Sequence, residues 1–237
     1  MSADGPSKGV EFDLFARARN WKAYWAGKVR PHLGRRVLEV GAGLGADTPY
    51  LLGPAQERWL CLEPNAALAA RIPATLGDHP RRSVVEVRAG LLGDLDAAER
   101  FDTILYIDVL EHIVDDHGEL RAALAHLDPG GKIIVLAPAY PWLFSESDRA
   151  LGHIRRYTRR ALIDGTPPGA VLRELFALDV CGLLASAGNR LLLHQSLPGR
   201  RQIAFWDRVL VTASRALDPL IGHLLGKSLV AVWRKNP

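Results

Sequence analysis

A chain of 237 residues that is 48% hydrophobic is long enough to bury a substantial core, and nothing in its composition suggests disorder. Its formal charge of +4 comes from scattered arginines, with short pairs such as Arg81-Arg82 and Arg155-Arg156, a balance too mild to indicate nucleic acid or anionic lipid as the main partner. No apolar run reaches the roughly 20 residues of a membrane span, Met1 to Val10 lack the features of a secretory signal, and Cys61 and Cys181, far apart in apolar runs, read as buried free thiols. The expectation is a cytoplasmic protein acting on a small molecule, with no nucleic acid.

In chain order, Phe12, Phe15, Ala18, Trp21 and Tyr24 or Trp25 recur at near-helical spacing and predict an amphipathic helix over 12–29, ended by Pro31 and Gly34. Two roles stand open for it. It caps the open side of a ligand pocket, with Trp21 and Tyr24 as flat surfaces and Arg17 or Arg19 reaching a carboxylate, or it simply packs on the sheet.

Val37 to Val40 read as a buried strand, followed by Gly41-Ala42-Gly43-Leu44-Gly45-Ala46 and a helix from Thr48. Alternating glycines let the chain turn tightly and bring bare backbone against a ligand, at the carboxyl end of a strand in a doubly wound sheet. The spacing also satisfies a loose dinucleotide fingerprint. With Glu39 two residues before the first glycine, however, the stretch resembles the first motif of the class I S-adenosylmethionine-dependent methyltransferases. That resemblance implies a cofactor site at Gly41, Ala42, Gly43, Gly45 and Thr48, with Glu39 facing the cofactor's ammonium group.

Trp59 to Leu62 form a second predicted strand ending at Glu63, close to the roughly 20-residue interval at which an acid meets ribose hydroxyls in such folds. Pro64-Asn65 then turns the chain into an alanine-rich helix. After a third strand, Val84 to Val87, the resembled family often reads the adenine amine with an aspartate. Leu91 stands there instead, so the backbone of Leu91 or Leu92 takes that role and Asp94 caps a turn.

Phe101 to Asp108 give the fourth strand, and Asp108-Val109-Leu110-Glu111-His112-Ile113 strongly resembles the segment after the fourth strand of small-molecule methyltransferases. The resemblance implies Asp108 between cofactor and acceptor. His112 is a base or a loop hydrogen-bonding group near the acceptor. His112, Asp115, Asp116 and His117 have metal-ligand chemistry but read as a helix cap, so no metal is expected. A helix over Leu120 to Leu127, a turn at Asp128-Pro129-Gly130-Gly131 and a fifth strand, Lys132 to Ala137, follow; the strand exit brings Tyr140 and Trp142 beside the acceptor.

The segment from Ser145 to Thr158 is unusually polar for a connector and resembles a bacterial methyltransferase subgroup. Asp148 and His153 form a candidate acid-base pair, Arg155 or Arg156 a candidate holder of an anionic acceptor group, and Tyr157 a candidate hydrogen-bond donor. The alternative is structural: Asp148 and Arg156 bridge loops while Thr158 caps a helix. A sixth strand over Val171 to Ala177 and a last strand over Ser228 to Trp233 flank a long insertion with helical stretches at Gly188 to His194 and Ile203 to Leu217. This insertion roofs the acceptor, dimerises or touches a membrane surface.

Strand-helix alternation gives an α/β, doubly wound fold, and the resemblance implies a seven-stranded mostly parallel sheet with an antiparallel last strand (a Rossmann-like methyltransferase fold), here with the helical insertion. Its parts are a capping helix at 12–34, a cofactor-binding core at 35–180, the cover at 181–227 and the last strand at 228–233. The expected activity is methyl transfer from S-adenosyl-L-methionine to an oxygen, nitrogen or sulfur of a small, partly apolar acceptor, with His153 as base ahead of Asp108. The competing readings are a nicotinamide-dependent oxidoreductase and a non-catalytic cofactor-binding or membrane-surface scaffold.

Overall fold

A computed structural model describes residues 18–190 and 199–237. Seven strands, β1 (Arg36–Val40), β2 (Arg58–Glu63), β3 (Val85–Ala89), β4 (Phe101–Ile107), β5 (Leu127–Pro138), β6 (Ala170–Leu178) and β7 (Ser228–Lys235), form one sheet in the order β3-β2-β1-β4-β5-β7-β6. The first five run parallel, and β7 inserts antiparallel to both β5 and β6. Strand order reverses between β1 and β4, which opens a crevice at their carboxyl ends.

Both faces of the sheet are covered, so the central strands are apolar throughout. Side chains alternate between two cores. Leu38, Ile104, Tyr106, Ile133 and Trp233 pack on one face, and Val37, Trp59, Leu105, Ile134 and Val232 on the other. Helix α1 (Arg19–Val29) joins the second core through Trp25, Ala26 and Val29. Its free N-terminal amides are met from far along the chain, where Asp207 Oδ1 accepts from Trp21 N at 2.9 Å. Phe12, Phe15 and Arg17 lie outside the described residues.

One local expectation is corrected. Asp128 to Gly131 do not end the preceding element as a free turn but bulge within β5, where the pairing with β4 jumps from Phe101↔Leu127 to Thr103↔Lys132. In the insertion, a helix covers Val180–Gly188, and the helix expected over 203–217 lies within a continuous rod that runs from Arg200–Phe205 through a π-turn at Trp206–Leu210 into α2 (Val211–Leu220). Most of the helix expected at 188–194 lies outside the described residues. The rod exposes Phe205, Val209, Leu217 and Leu220, and among the described residues no helix is long and apolar enough to cross a membrane.

Candidate active site

A cavity of about 1120 Å³ opens at the carboxyl ends of β1, β4 and β5, beneath α1 and the insertion. That is ample for a nucleoside cofactor together with a second small molecule. Its described wall includes Trp21 and Lys22 from α1, Gly41, Ala42 and Gly43 from the glycine turn, Asp108, and His112, Asp148, His153 and Arg156 from the polar loops.

The glycine turn has the conformation its sequence demands. Gly41 and Gly43 have φ of +68° and +56°, which a side chain adopts only with strain. A Cβ on Gly41 would strike Val109 at 2.7 Å, whereas one on Gly43 would meet nothing within 4 Å and project into free space. Bare backbone at Gly43 thus fits a ligand lying against the turn. Lys22 Nζ crosses to Asp47 Oδ1 at 2.6 Å and ties α1 to the far end of that turn.

Several predicted cofactor residues support the turn from behind instead of lining the cavity. Glu39 is buried, and its Oε2 accepts from Thr48 Oγ1 and Trp59 Nε1, each at 2.8 Å. Burial, only partly offset by those donors, pushes its carboxyl up to about 7. Gly45 packs against Ile72. Glu63 directs Oε2 to Gly43 N at 2.8 Å and Oε1 to Asn65 N at 2.9 Å, so the end of β2 is hydrogen-bonded to the turn. Pro64 is exposed, as is Leu91 at 61%, while Leu92 belongs to the core and Asp94 caps the turn by accepting from Leu91 N.

Tyr24 does not reach the cavity. Its hydroxyl donates to Asp218 at 2.8 Å and locks α1 to the end of α2, and burial beside that carboxylate raises its pKa. Tyr157 is likewise a core residue, donating to Asp116 Oδ2 at 2.7 Å and Leu110 O at 3.1 Å, so its hydroxyl is engaged internally. Tyr140 and Trp142 pack against each other just past β5, outside the described cavity wall, with Trp142 half exposed. Asp115 caps a helix (Asp116–Ala125), as expected, by accepting from Gly118 N, and Asp116 pairs with Arg155 at 2.7 Å.

On the acceptor side, two polar segments close on each other. Ile154 N donates to Glu111 O at 3.0 Å, and His112 Nδ1 lies 3.1 Å from Gly152 O. Between them Asp148 gathers His153 Nδ1 at 3.0 Å and Arg156 Nε and Nη2, each at 2.9 Å. Burial works to raise the Asp148 carboxyl, but these hydrogen bonds and the guanidinium charge outweigh it and hold the group well below the usual carboxylate range.

Glu111, which is absent from the candidates drawn from the sequence, is fully buried, and neither carboxyl oxygen has a hydrogen-bond partner among the described residues. His153 Nε2 stands 3.8 Å away. Burial, then the charges of Asp108 and Asp148, raise the Glu111 carboxyl strongly. Asp108 itself borders the cavity at a left-handed φ of 52°, and burial together with Asp47 raises it against the opposing charges of His153, Lys22 and Lys227. Glu111, His112 and His153 present donor atoms within 4.8 Å of one another, a mixed nitrogen and oxygen set of the type that holds divalent transition metals.

A glycine turn at the switch point of such a sheet, opening into a cavity with an ionisable far wall, defines an α/β protein that binds a nucleoside cofactor beside a second molecule. More narrowly, the chain belongs to the S-adenosylmethionine-dependent methyltransferases: a family model described as "Methyltransferase domain" matches residues 12–166. This sets the nicotinamide reading aside.

Among curated relatives, the ubiquinone biosynthesis O-methyltransferase of Xanthomonas axonopodis pv. citri is 34% identical over 139 residues, covering 56% of this chain and 53% of the relative. Its counterpart from Ruegeria pomeroyi is 32% identical over 117 residues, 44% of this chain and 42% of that protein. The chain thus spans about half the length of the curated relatives it matches.

Solved structures share the fold at low identity. The N-methyltransferase NodS from Bradyrhizobium japonicum, in complex with S-adenosyl-L-homocysteine, superposes with a TM-score of 0.55 at 15% identity, covering 93% of this chain and 87% of NodS. The CcbJ methyltransferase from Streptomyces caelestis gives 0.56 at 14% identity, covering 92% and 96%.

Proposed function

We propose that this chain methylates an oxygen atom of a small, partly apolar acceptor, with His153 as the base that accepts the acceptor's proton. The observation that carries this reading is the 3.0 Å contact between Asp148 and His153 Nδ1 in the cavity wall. A carboxylate on one ring nitrogen fixes the tautomer and leaves Nε2 to take a proton.

S-adenosylmethionine, when bound, supplies a reactive methyl group on a sulfonium centre. Gly41, Ala42 and Gly43 would hold it against bare backbone, with Trp21 and Lys22 in the facing wall and Glu63 bracing the turn from behind. The protein's own contribution is alignment and exclusion of water, for which the described helices between β6 and β7 serve as a roof. The choice of oxygen over nitrogen or sulfur draws on the O-methyltransferase relatives.

The test is transfer of labelled methyl groups from S-adenosylmethionine to a panel of phenols and catechols. His153→Ala should lower kcat by about 10²–10⁴-fold while leaving the S-adenosylmethionine Kd unchanged by calorimetry. Undiminished turnover would make His153 a packing residue, and tight binding of NAD without S-adenosylmethionine would end the whole reading.

A further inference from the structure

We infer that the acceptor carries a carboxylate apart from the methylated atom, and that Lys227 is the residue that binds it; this rests on the acceptor occupying the cavity described above. Lys227 immediately precedes β7. Its carbonyl accepts from Ala139 N at 2.8 Å and its amide donates to Asp179 O at 3.1 Å, which fixes its backbone between the exit of β5 and the start of the insertion. From there the side chain enters the cavity wall, with Nζ 5.1 Å from the centre of the Trp206 ring.

What marks this cation is its place in the cavity wall over the Trp206 ring. Among the described residues no carboxylate forms an ion pair with Nζ, although several lie in its surroundings. Asp148 is engaged by Arg156 and His153. Asp179 accepts from Trp206 Nε1 at 2.7 Å, Ser214 Oγ at 2.8 Å and Gly182 N at 2.9 Å. Arg156 is paired with Asp148, whereas Nζ of Lys227 forms no ion pair among the described residues. Burial, with the Arg156 charge adding to it, disfavours the ammonium form and is opposed by Asp179, Asp148 and Asp108.

An indole face stabilises a cation but does not neutralise it. A half-buried ammonium that faces a cavity without an ion pair of its own is suited to an anion the ligand brings. Trp206, Ile203 and Leu143 line the same cavity and offer an apolar seat for the body of such a molecule. The ligand class is an amphipathic hydroxy acid, its hydroxyl at His153 and its carboxylate at Lys227.

The experiment uses the whole chain saturated with S-adenosylhomocysteine and measures binding of three matched pairs by calorimetry: 3,4-dihydroxybenzoate, caffeate and 12-hydroxydodecanoate, each against its carboxamide. At neutral pH at least one acid should bind tenfold or more tighter than its amide. Lys227→Gln should reduce that ratio to near one, and Lys227→Arg should keep most of it, with S-adenosylhomocysteine affinity and thermal melting unchanged in both as controls for folding. An acid preference that survives in Lys227→Gln, or no preference in any pair with the unsubstituted protein, overturns the inference. If the acids bind through Lys227 but accept no methyl group from S-adenosylmethionine, the carboxylate site stands and the methyl-transfer reading falls.

Discussion

The two sides of the cavity are built on opposite plans. On the cofactor side, Glu39 and Glu63 turn their oxygens onto donors of the chain itself, including the amide of Gly43, so the acids shape a loop whose exposed surface is backbone. On the acceptor side, side chains from several distant segments meet; among the described residues Glu111 is left without a hydrogen-bonding partner, and the Lys227 ammonium lies over the Trp206 ring without an ion pair. The first side is organised around shape, the second around charge. A substitution on the first should change affinity for the cofactor, and one on the second should change chemistry and acid tolerance.

The largest expected effect tests the shape side. Gly43→Val places a branched side chain where a Cβ has free space, so the chain should still fold, with a strain of about 2 kcal/mol from the positive φ, while S-adenosylmethionine affinity falls by about a thousandfold or more. Calorimetry and a thermal melt separate the two, and retained affinity would remove the turn from the cofactor site.

Asp148→Asn comes next. It leaves Arg156 buried without its charge partner and should cost about 3–5 kcal/mol in urea unfolding. The sign of its pH dependence is fixed. A carboxyl held below its ordinary range contributes stability present above about pH 4, and that contribution is lost as pH falls through the folded-state value. The variant should lack this acid limb.

Glu39 gives the smallest effect, and the opposite slope. Its carboxyl is raised from 4.5 to about 7, so the folded state binds the extra proton between those values and stability declines as pH rises through that window. The decline should amount to at most about 3 kcal/mol. Glu39→Gln retains an oxygen for Thr48 and Trp59 and should flatten this limb; an unchanged profile would show that a group other than Glu39 titrates in that window.

The same division governs what the sequence discloses. The sheet is legible because apolar runs and the glycine turn are local signals, and the β5 bulge is not, because Pro129, Gly130 and Gly131 look locally like a chain reversal. The pairing of Asp148 with His153 is also within reach, since five residues separate them. Tyr24 and Tyr157 mislead because their partners, Asp218 and Asp116, lie 194 and 41 residues away. Glu111 carries a faint signal, an acid inside the apolar Val109 to Ile113 stretch. Lys227 carries none, because its isolation is visible only once Asp148 and Asp179 are known to be engaged elsewhere.

The antiparallel course of β7 has a consequence for how such a protein diversifies. Because this strand starts at the edge where the parallel strands finish, any length of chain threaded between β6 and β7 must begin and end at the rim of the reaction chamber. Exchanging residues 179–227 for a different cover would therefore swap one clientele for another while the β1 to β4 half stays untouched, which makes this junction the natural place for grafting.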